Sequence, residues 1–426
     1  MMSITKIRKK FRYILLRKLL IASMLIAILS SFLALSLKHT TEYLENIFFL
    51  KTQYQPFYIF IFPLIGLLII HFLREYLFKK KENKGIKEIF DATKNKNKSL
   101  PLYKIPSHFI NGLFTVAFGG STGIEVSTVV ATAAIGATAH RKENRFRNYK
   151  TALLCAGITA GITILFSSPI AGILFSIEVI AKKTNKIFFL TNSIALTIAS
   201  ALLFIINETP LFSISITTWH YYAIPYFILL GILAGINSVF LTKMVLFFKS
   251  QFGKIDNPYY RIIIGALILS LALFFFPQLY GDGYHAMKDI FSEAKPIATL
   301  GVIVTFLALV LLKPIVTSAT LASGGDGGVF APSLFIGAFL GLVLAAILNT
   351  YFGTNVIPVN FMVIGMAAVL SASLHAPYTA LFLVCGIIND YTLFFPILMV
   401  CLIAKYTSKL LFPYTVYTYT PVILKS

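Results

Sequence analysis

LLCAGITAGITILFSSPIAGILF, residues 153–175, and FMVIGMAAVLSASLHAPYTALF, residues 361–382, read as one segment written twice. Gly157 falls on Gly365, Ala160 on Ala368, Pro169 on Pro377 and Ala171 on Thr379, all at an offset of 208 residues. Upstream, the cluster Gly119-Gly120-Ser121-Thr122-Gly123 has a counterpart in Gly324-Gly325-Asp326-Gly327-Gly328, about 205 residues later. Further upstream still, KGIKEIF at 84–90 resembles GYHAMKDIF at 283–291. Three matched features in one order divide the chain into related halves, 16–206 and 221–412. A segment 1–15, a linker 207–220 and a segment 413–426 flank and join them.

The composition says where such a repeat resides. Of 426 residues, 57% are hydrophobic and 12% charged, with a mean hydropathy of +0.82. Soluble domains carry about 25% charged residues, so a polytopic membrane protein is implied. A cytosolic enzyme, a secreted disulfide scaffold and a disordered tail are excluded. Cys155, Cys385 and Cys401 are scattered through apolar stretches, without C-x-x-C spacing, and read as small buried hydrophobes. The seven His residues show no H-E-x-x-H spacing, so neither a metal nor another cofactor is expected.

The net charge of +21 has a topological reading. A basic start, MMSITKIRKKFRYILLRK, precedes an apolar run from Leu19 to Leu37, long enough to span and lacking a convincing cleavage site. A second span covers Pro56 to Phe72. It leads into the most basic stretch, with Lys79, Lys80, Lys81, Lys84, Lys87, Lys94, Lys96 and Lys98. Two spans put both basic regions on one side, and Lys/Arg excess in short loops marks the cytoplasm. Further basic patches sit at Arg141–Lys150 and Lys182–Lys186. The expectation is a multi-pass protein of the inner or plasma membrane with a cytoplasmic N-terminus, and no nucleic-acid partner.

Beyond Lys104 the apolar runs are broken by Gly and Pro at mid-membrane depth. Such breaks are tolerated only where backbone is buried in protein or lines a wet cavity. Transporters of this kind place the substrate site at the interface between repeats. Both glycine clusters run into apolar helical stretches, Val126–Ala139 and Val329–Ile347. Glycine lets backbone approach a ligand closely, and helix N-termini offer free N–H groups to anions. Two such ends aimed at one point make an anion site from partial charges, which binds without trapping. The competing reading is that Gly119, Gly120, Gly123, Gly327 and Gly328 merely permit close helix packing.

Acidic residues are scarce, and Glu125, Glu178, Asp326 and Asp390 stand out among apolar neighbours. An intramembrane carboxylate is a functional hypothesis by default. Glu125 follows the first glycine cluster at a helix start, where its carboxylate can occupy the site of a permeating anion and act as a gate. The alternative is a first-turn Glu that satisfies the helix dipole.

At these residues the sequence resembles the CLC family of chloride channels and chloride/proton antiporters, over roughly 16–420. GGSTGIEVS (119–127) is similar to the family's G-(K/R)-E-G-P motif, with Ile124, Val126 and Ser127 in place of the basic residue, Gly and Pro. SPIAGILFSIEV (168–179) and GGVFAP (327–332), the latter a G-x-F-x-P motif, are closer matches. The resemblance implies an all-α membrane fold of two inverted-topology repeats of broken and tilted helices. It implies Glu125 as the external gating glutamate and the backbone amides of Val329 and Phe330 as chloride ligands. YTVYT (414–418) resembles the segment with the pore tyrosine, assigned here to Tyr417 with Tyr414 and Tyr419 as alternatives.

Two departures matter. NKGIKE (83–88) stands for G-S-G-I-P, putting Lys84 where a chloride-coordinating serine is expected. Lys84 is then either a cationic funnel for anions or a solvated cytoplasmic residue. The antiporters' inner proton-transfer glutamate corresponds to Val179, next to Glu178; Val cannot carry a proton. The expected function is therefore a passive CLC-type chloride channel gated by Glu125, with a proton-coupled chloride antiporter as the alternative. The resemblance further implies a homodimer of bacterial type, without nucleotide regulation through C-terminal cytoplasmic domains. An intramembrane hydrolase or lipid transferase would need a His–carboxylate pair in the repeat cores, where His375 beside Pro377 is the one semi-candidate. A scaffold or receptor leaves the mid-membrane breaks unexplained.

Overall fold

The computed structural model describes residues 4–81, 83–95, 98–142, 144–212, 214–292 and 299–419. Lys96, the first three residues, positions 420–426 and most side chains of the 141–147 patch lie outside the described residues. Among the described residues sixteen α-helices form, eight in each half. The first eight are α1 (Ile4–Tyr54), α2 (Tyr58–Phe72), α3 (Ile86–Lys94), α4 (Lys104–Ala117), α5 (Glu125–Lys142), α6 (Lys150–Phe166), α7 (Pro169–Phe175) and α8 (Lys186–Ile206). The second eight are α9 (Ile224–Phe252), α10 (Pro258–Phe275), α11 (Tyr284–Ser292), α12 (Leu300–Ala322), α13 (Phe330–Phe352), α14 (Pro358–Leu374), α15 (Pro377–Ile388) and α16 (Phe394–Leu411).

The halves repeat each other helix for helix. In the first, α6 packs on α1, α5 and α8; in the second, α14 packs on α9, α13 and α16. Across the halves, α2 meets α10 and α7 meets α15. Eight helices are long and apolar enough to cross a bilayer, whereas α6, α7, α14 and α15 are too short to do so alone. The protein is thus an all-α polytopic membrane protein of two inverted-topology repeats with broken helices.

The repeated segment explains the breaks. Ser167 (φ 50°) ends α6 and His375 (φ 57°) ends α14, each in the left-handed region. Each break is closed in the same way, by Ser168 N–H to Thr163 O and by Ala376 N–H to Ser371 O, both at 3.2 Å. Proline then opens the next helix in each half, at Pro169 and Pro377, where a missing N–H costs nothing.

Glycine positions fix how closely the helices pack. A Cβ on Gly157 would fall on the Thr132 carbonyl, and one on Gly365 would fall on that of Gly337. Likewise Gly136 lies on Leu153 O and Gly341 on Phe361 O. The four contacts are two equivalent pairs, one per repeat, so the α5–α6 and α13–α14 pairs share one backbone-to-backbone packing. Cys155, Cys385 and Cys401 are all buried.

A Gly365→Val substitution is expected to destabilise the protein by about 1–3 kcal/mol or more, because the added methyls meet rigid backbone. Gly301→Ala, where the nearest atom to the new Cβ is 3.9 Å away, is expected to be neutral. Thermal unfolding of the two variants in detergent measures the difference.

Candidate functional site: an anion pathway at the repeat interface

The site begins with the two glycine clusters. Gly119 (φ 84°) and Gly324 (φ 104°) turn the chain at equivalent points. Gly120 N–H then donates to Thr115 O at 2.8 Å, and Gly325 N–H to Thr320 O at 3.0 Å. The two threonines cross over to the other repeat. Thr115 Oγ1 accepts from Asp326 N–H at 2.9 Å, while Thr320 Oγ1 accepts from Ser121 N–H at 3.1 Å. Two residues further on, Gly123 and Gly328 form an antiparallel backbone bridge. The clusters of the two halves are therefore joined backbone to backbone about a local two-fold axis.

From this junction α5 and α13 start at Glu125 and Phe330. The first turn of each helix carries N–H groups without intrahelical acceptors. The side chain of Glu125 is 1% exposed. Its Oε1 accepts a hydrogen bond from Tyr284 Oη at 2.8 Å. The backbone amides of Glu125 itself and of Ala331 face the carboxylate, and Oε2 is buried without a hydrogen-bond partner. The gate candidate thus spans the first turns of both helices.

Tyr417 comes from the C-terminal segment, and its hydroxyl accepts the Val329 N–H at 3.2 Å. A Cβ on Gly328 would strike Val126 and lie 2.9 Å from that hydroxyl, and one on Gly85 would lie 3.2 Å from Val126 Cγ1. Gly85, Val126, Gly328 and Tyr417 therefore converge. Phe330 is fully buried, with its ring 5.5 Å from that of Phe175. A cavity of about 490 Å³ lined by Lys87, Lys94, Lys182, Lys183 and Phe188 reaches Tyr417. Its lysines belong to the basic stretch after α2 and the basic patch after α7.

The remaining sequence candidates are placed differently. Lys84 has an exposed side chain, and its backbone N–H donates locally to Glu88 Oε1 at 2.6 Å. Glu178 Oε2 accepts from both the N–H and the hydroxyl of Thr379 at 2.7 Å, so it caps the first turn of α15. Val179 is buried beside it. Asp390 lies in the loop between α15 and α16, accepting from Thr392 N–H at 2.7 Å and Ile216 N–H at 3.1 Å, and is a turn residue. Asp326 receives Asn83 Nδ2 at 2.5 Å and lies 3.1 Å from His108 Nδ1, inside a buried polar network.

Sequence reasoning missed Tyr284 and a buried ion cluster behind it. Asp282 N–H donates to Glu45 Oε1 at 3.3 Å, and Lys313 Nζ donates to the carbonyls of Leu279 (3.2 Å) and Gly281 (3.1 Å). The signals were present: a lone Lys inside VTFLALVLLKPIV, and Asp282 between two glycines.

Residues 65–409 match the family of voltage gated chloride channels. The chain belongs to that family. It is 28% identical over 343 residues to the H(+)/Cl(-) exchange transporter ClcA of Vibrio parahaemolyticus, covering 77% of this chain and 71% of that protein. It is 26% identical over 312 residues to the voltage-gated ClC-type chloride channel ClcB of Escherichia coli, covering 72% of each. Among solved structures, a CLC-type fluoride/proton antiporter superposes with a TM-score of 0.79 at 24% identity, covering 94% of this chain and 97% of that one. The CLC fold and membership of a chloride-transporting family follow.

Removing the Glu178 cap is expected to cost about 1 kcal/mol, the usual value of an N-terminal acceptor. Glu178→Ala should lower the unfolding temperature, and Glu178→Gln, which keeps an acceptor oxygen, should largely restore it.

Proposed function

We propose that this CLC protein exchanges a small anion of the chloride class for protons, with Glu125 as the gate shared by both ions. The observation that carries the reading is the order of adjoining groups. A lysine-lined cavity reaches Tyr417, whose hydroxyl accepts the Val329 N–H before α13, and the Glu125 carboxylate at the start of α5 faces the Ala331 amide in the first turn of α13.

The chemistry follows from that order. The lysines raise the local anion concentration. Val329 N–H and Tyr417 O–H are both donors that can turn to an incoming anion, and the free first-turn amide of Phe330 adds a third. Partial charges hold the anion loosely enough for it to leave. Beyond it, an ionised Glu125 competes for the same donors. Protonated, it loses that attraction and frees the position, so the ionised carboxylate and the anion are alternatives at one place and a proton on Glu125 admits the anion. Lys84, exposed on the basic side, contributes to the attraction at a distance rather than as a ligand. The five motif glycines act by admitting backbone to backbone.

The names of similar proteins favour exchange, one being a chloride/proton exchanger and another a fluoride/proton antiporter. The original expectation of a passive channel keeps two supports: Val179 at the inner proton position, and a relative named as a channel. No hydrolytic role is proposed, since the charged neighbours of His375 are Lys405 and Lys409. We further infer a homodimer in a bacterial inner membrane, with the N-terminus on the basic, cytoplasmic side, and repeat boundaries at 16–206 and 221–412.

Purified protein in liposomes under a pH gradient tests the reading. Exchange predicts a reversal potential displaced from the chloride Nernst value and protons driven uphill by chloride. A Nernstian potential would replace exchange with the channel. Glu125→Ala is expected to keep anion flux, lose proton movement and lose the pH dependence of flux. Repeating the assay with fluoride and nitrate ranks the anions.

A further inference from the structure

We propose that Tyr284 is a positioning residue for Glu125, a latch whose hydroxyl holds the gating carboxylate in the pathway, with the buried Glu45–Asp282–Lys313 cluster as its mount. The proposal rests on the reading of Glu125 as the gate.

The latch is a single side-chain bond, added to the backbone amides of Glu125 and Ala331 that face the carboxylate. Tyr284 Oη donates to Glu125 Oε1 at 2.8 Å, and the other carboxylate oxygen has no hydrogen-bond partner. Nothing else with a side-chain donor bonds this carboxylate among the described residues. Tyr284 is therefore the one side chain among the described residues that fixes where the carboxylate sits, alongside the helix-start amides.

The mount holds it from three elements. Gly281 (φ 54°) and Gly283 (φ 87°) turn the chain sharply on either side of Asp282. Asp282 Oδ1 accepts the N–H of Tyr284 itself at 2.8 Å. Its own N–H goes to Glu45 of α1, and Lys313 of α12 ties down the carbonyls before the turn while lying 4.6 Å from the centre of the Phe335 ring. The Phe212 ring packs edge-on against that of Tyr284 at 5.8 Å.

Burying three ionisable side chains is expensive even when backbone groups satisfy them, and apolar residues would fold a loop more cheaply. Here the burial serves one product, the placement of a phenol on a carboxylate. The repeat supplies a control. The matching turn before α3, Asn83-Lys84-Gly85, is also held by buried polar groups, Asn83 bonding Asp326 and Lys104, but it brings Gly85 rather than a phenol to the pathway, against Val126.

The latch has a pH signature. The titratable and charged groups acting on Glu125 are Tyr284 of α11, Asp282 of the turn, Lys313 of α12 and Tyr417 of the C-terminal segment, with Glu45 of α1 acting on Tyr284. A donor on an ionised carboxylate favours the ionised form in that place. Without it, protonation and departure of Glu125 occur at higher pH.

The test measures chloride efflux from liposomes against pH for wild type, Tyr284→Phe, Glu125→Ala and the double variant. Tyr284→Phe is expected to move the half-maximal flux upward by about one pH unit, the worth of one charge-assisted hydrogen bond. In the Glu125→Ala background it should change nothing. Coincident profiles for Tyr284→Phe and wild type overturn the latch. So does an equal effect with and without Glu125, which also exposes a folding defect. Proton movement recorded in wild-type vesicles separates the two ideas: its absence defeats exchange, while the latch is read from chloride flux alone.

Discussion

Thr115 and Thr320 each lend a hydroxyl to the other half of the molecule, to Asp326 N–H and Ser121 N–H respectively. That reciprocal pair, with the Gly123–Gly328 bridge just beyond it, sets the distance between the two repeats at the one depth where it matters. Backbone groups in a bilayer must be satisfied internally, and two interrupted helices offer four ragged ends to satisfy. Pairing the glycine turns with each other meets part of that demand while leaving the first-turn amides of α5 and α13 pointing inward. The proposed anion site is thus a by-product of how the breaks are closed, built from the donors left over from two turns.

The same constraint explains why so little full charge is needed near the path. The lysines of the basic side stand in the approach cavity and solvated stretches, where water carries the cost of their charge, while Lys313 is buried behind Tyr284 with its Nζ on backbone carbonyls. At the narrow part the groups are an amide, a phenol and a carboxylate, each neutral or neutralisable. A lysine at the narrow part would bind an anion too firmly to release it. The exposed side chain of Lys84 fits this division, because its chain turn approaches the site with Gly85 rather than with its charge.

Much of this was readable from residues alone, and the reason is the repeat. Offsets of 205 and 208 tie Gly136 and Gly157 to Gly341 and Gly365, and close backbone approach tolerates nothing larger than glycine at such positions. The pattern therefore survives in an otherwise drifting apolar sequence. Glu125 was legible because carboxylates are rare here. Glu178 was equally conspicuous but serves to cap α15, a long-range partnership 201 residues apart that no local pattern reveals. Tyr284 was illegible for the converse reason: tyrosines are common in this chain, 21 in all, and only the fold selects one. Lys313 was overlooked because positive charge had been read as topology, although a lysine within an apolar run is as costly as an acid there.

The two repeats are built alike and then made unequal at homologous turns. The turn before α3 presents Gly85 to Val126, on the side of the lysine-lined cavity. Its counterpart before α11 presents Tyr284 to Glu125; buried polar groups hold both turns, and what differs is the residue each brings to the pathway. A symmetric pair of turns would make the two mouths of the pathway alike, with no reason for a proton to meet the gate from one side more than the other. The inequality makes one mouth basic and open to anions. The other holds a carboxylate under a hydroxyl, next to the buried Glu45, Asp282 and Lys313. Coupling an anion to a proton requires that kind of difference, because the two ions must reach the same gate with opposite charge. The fold supplies the symmetry, and a few residues at the turns supply the direction.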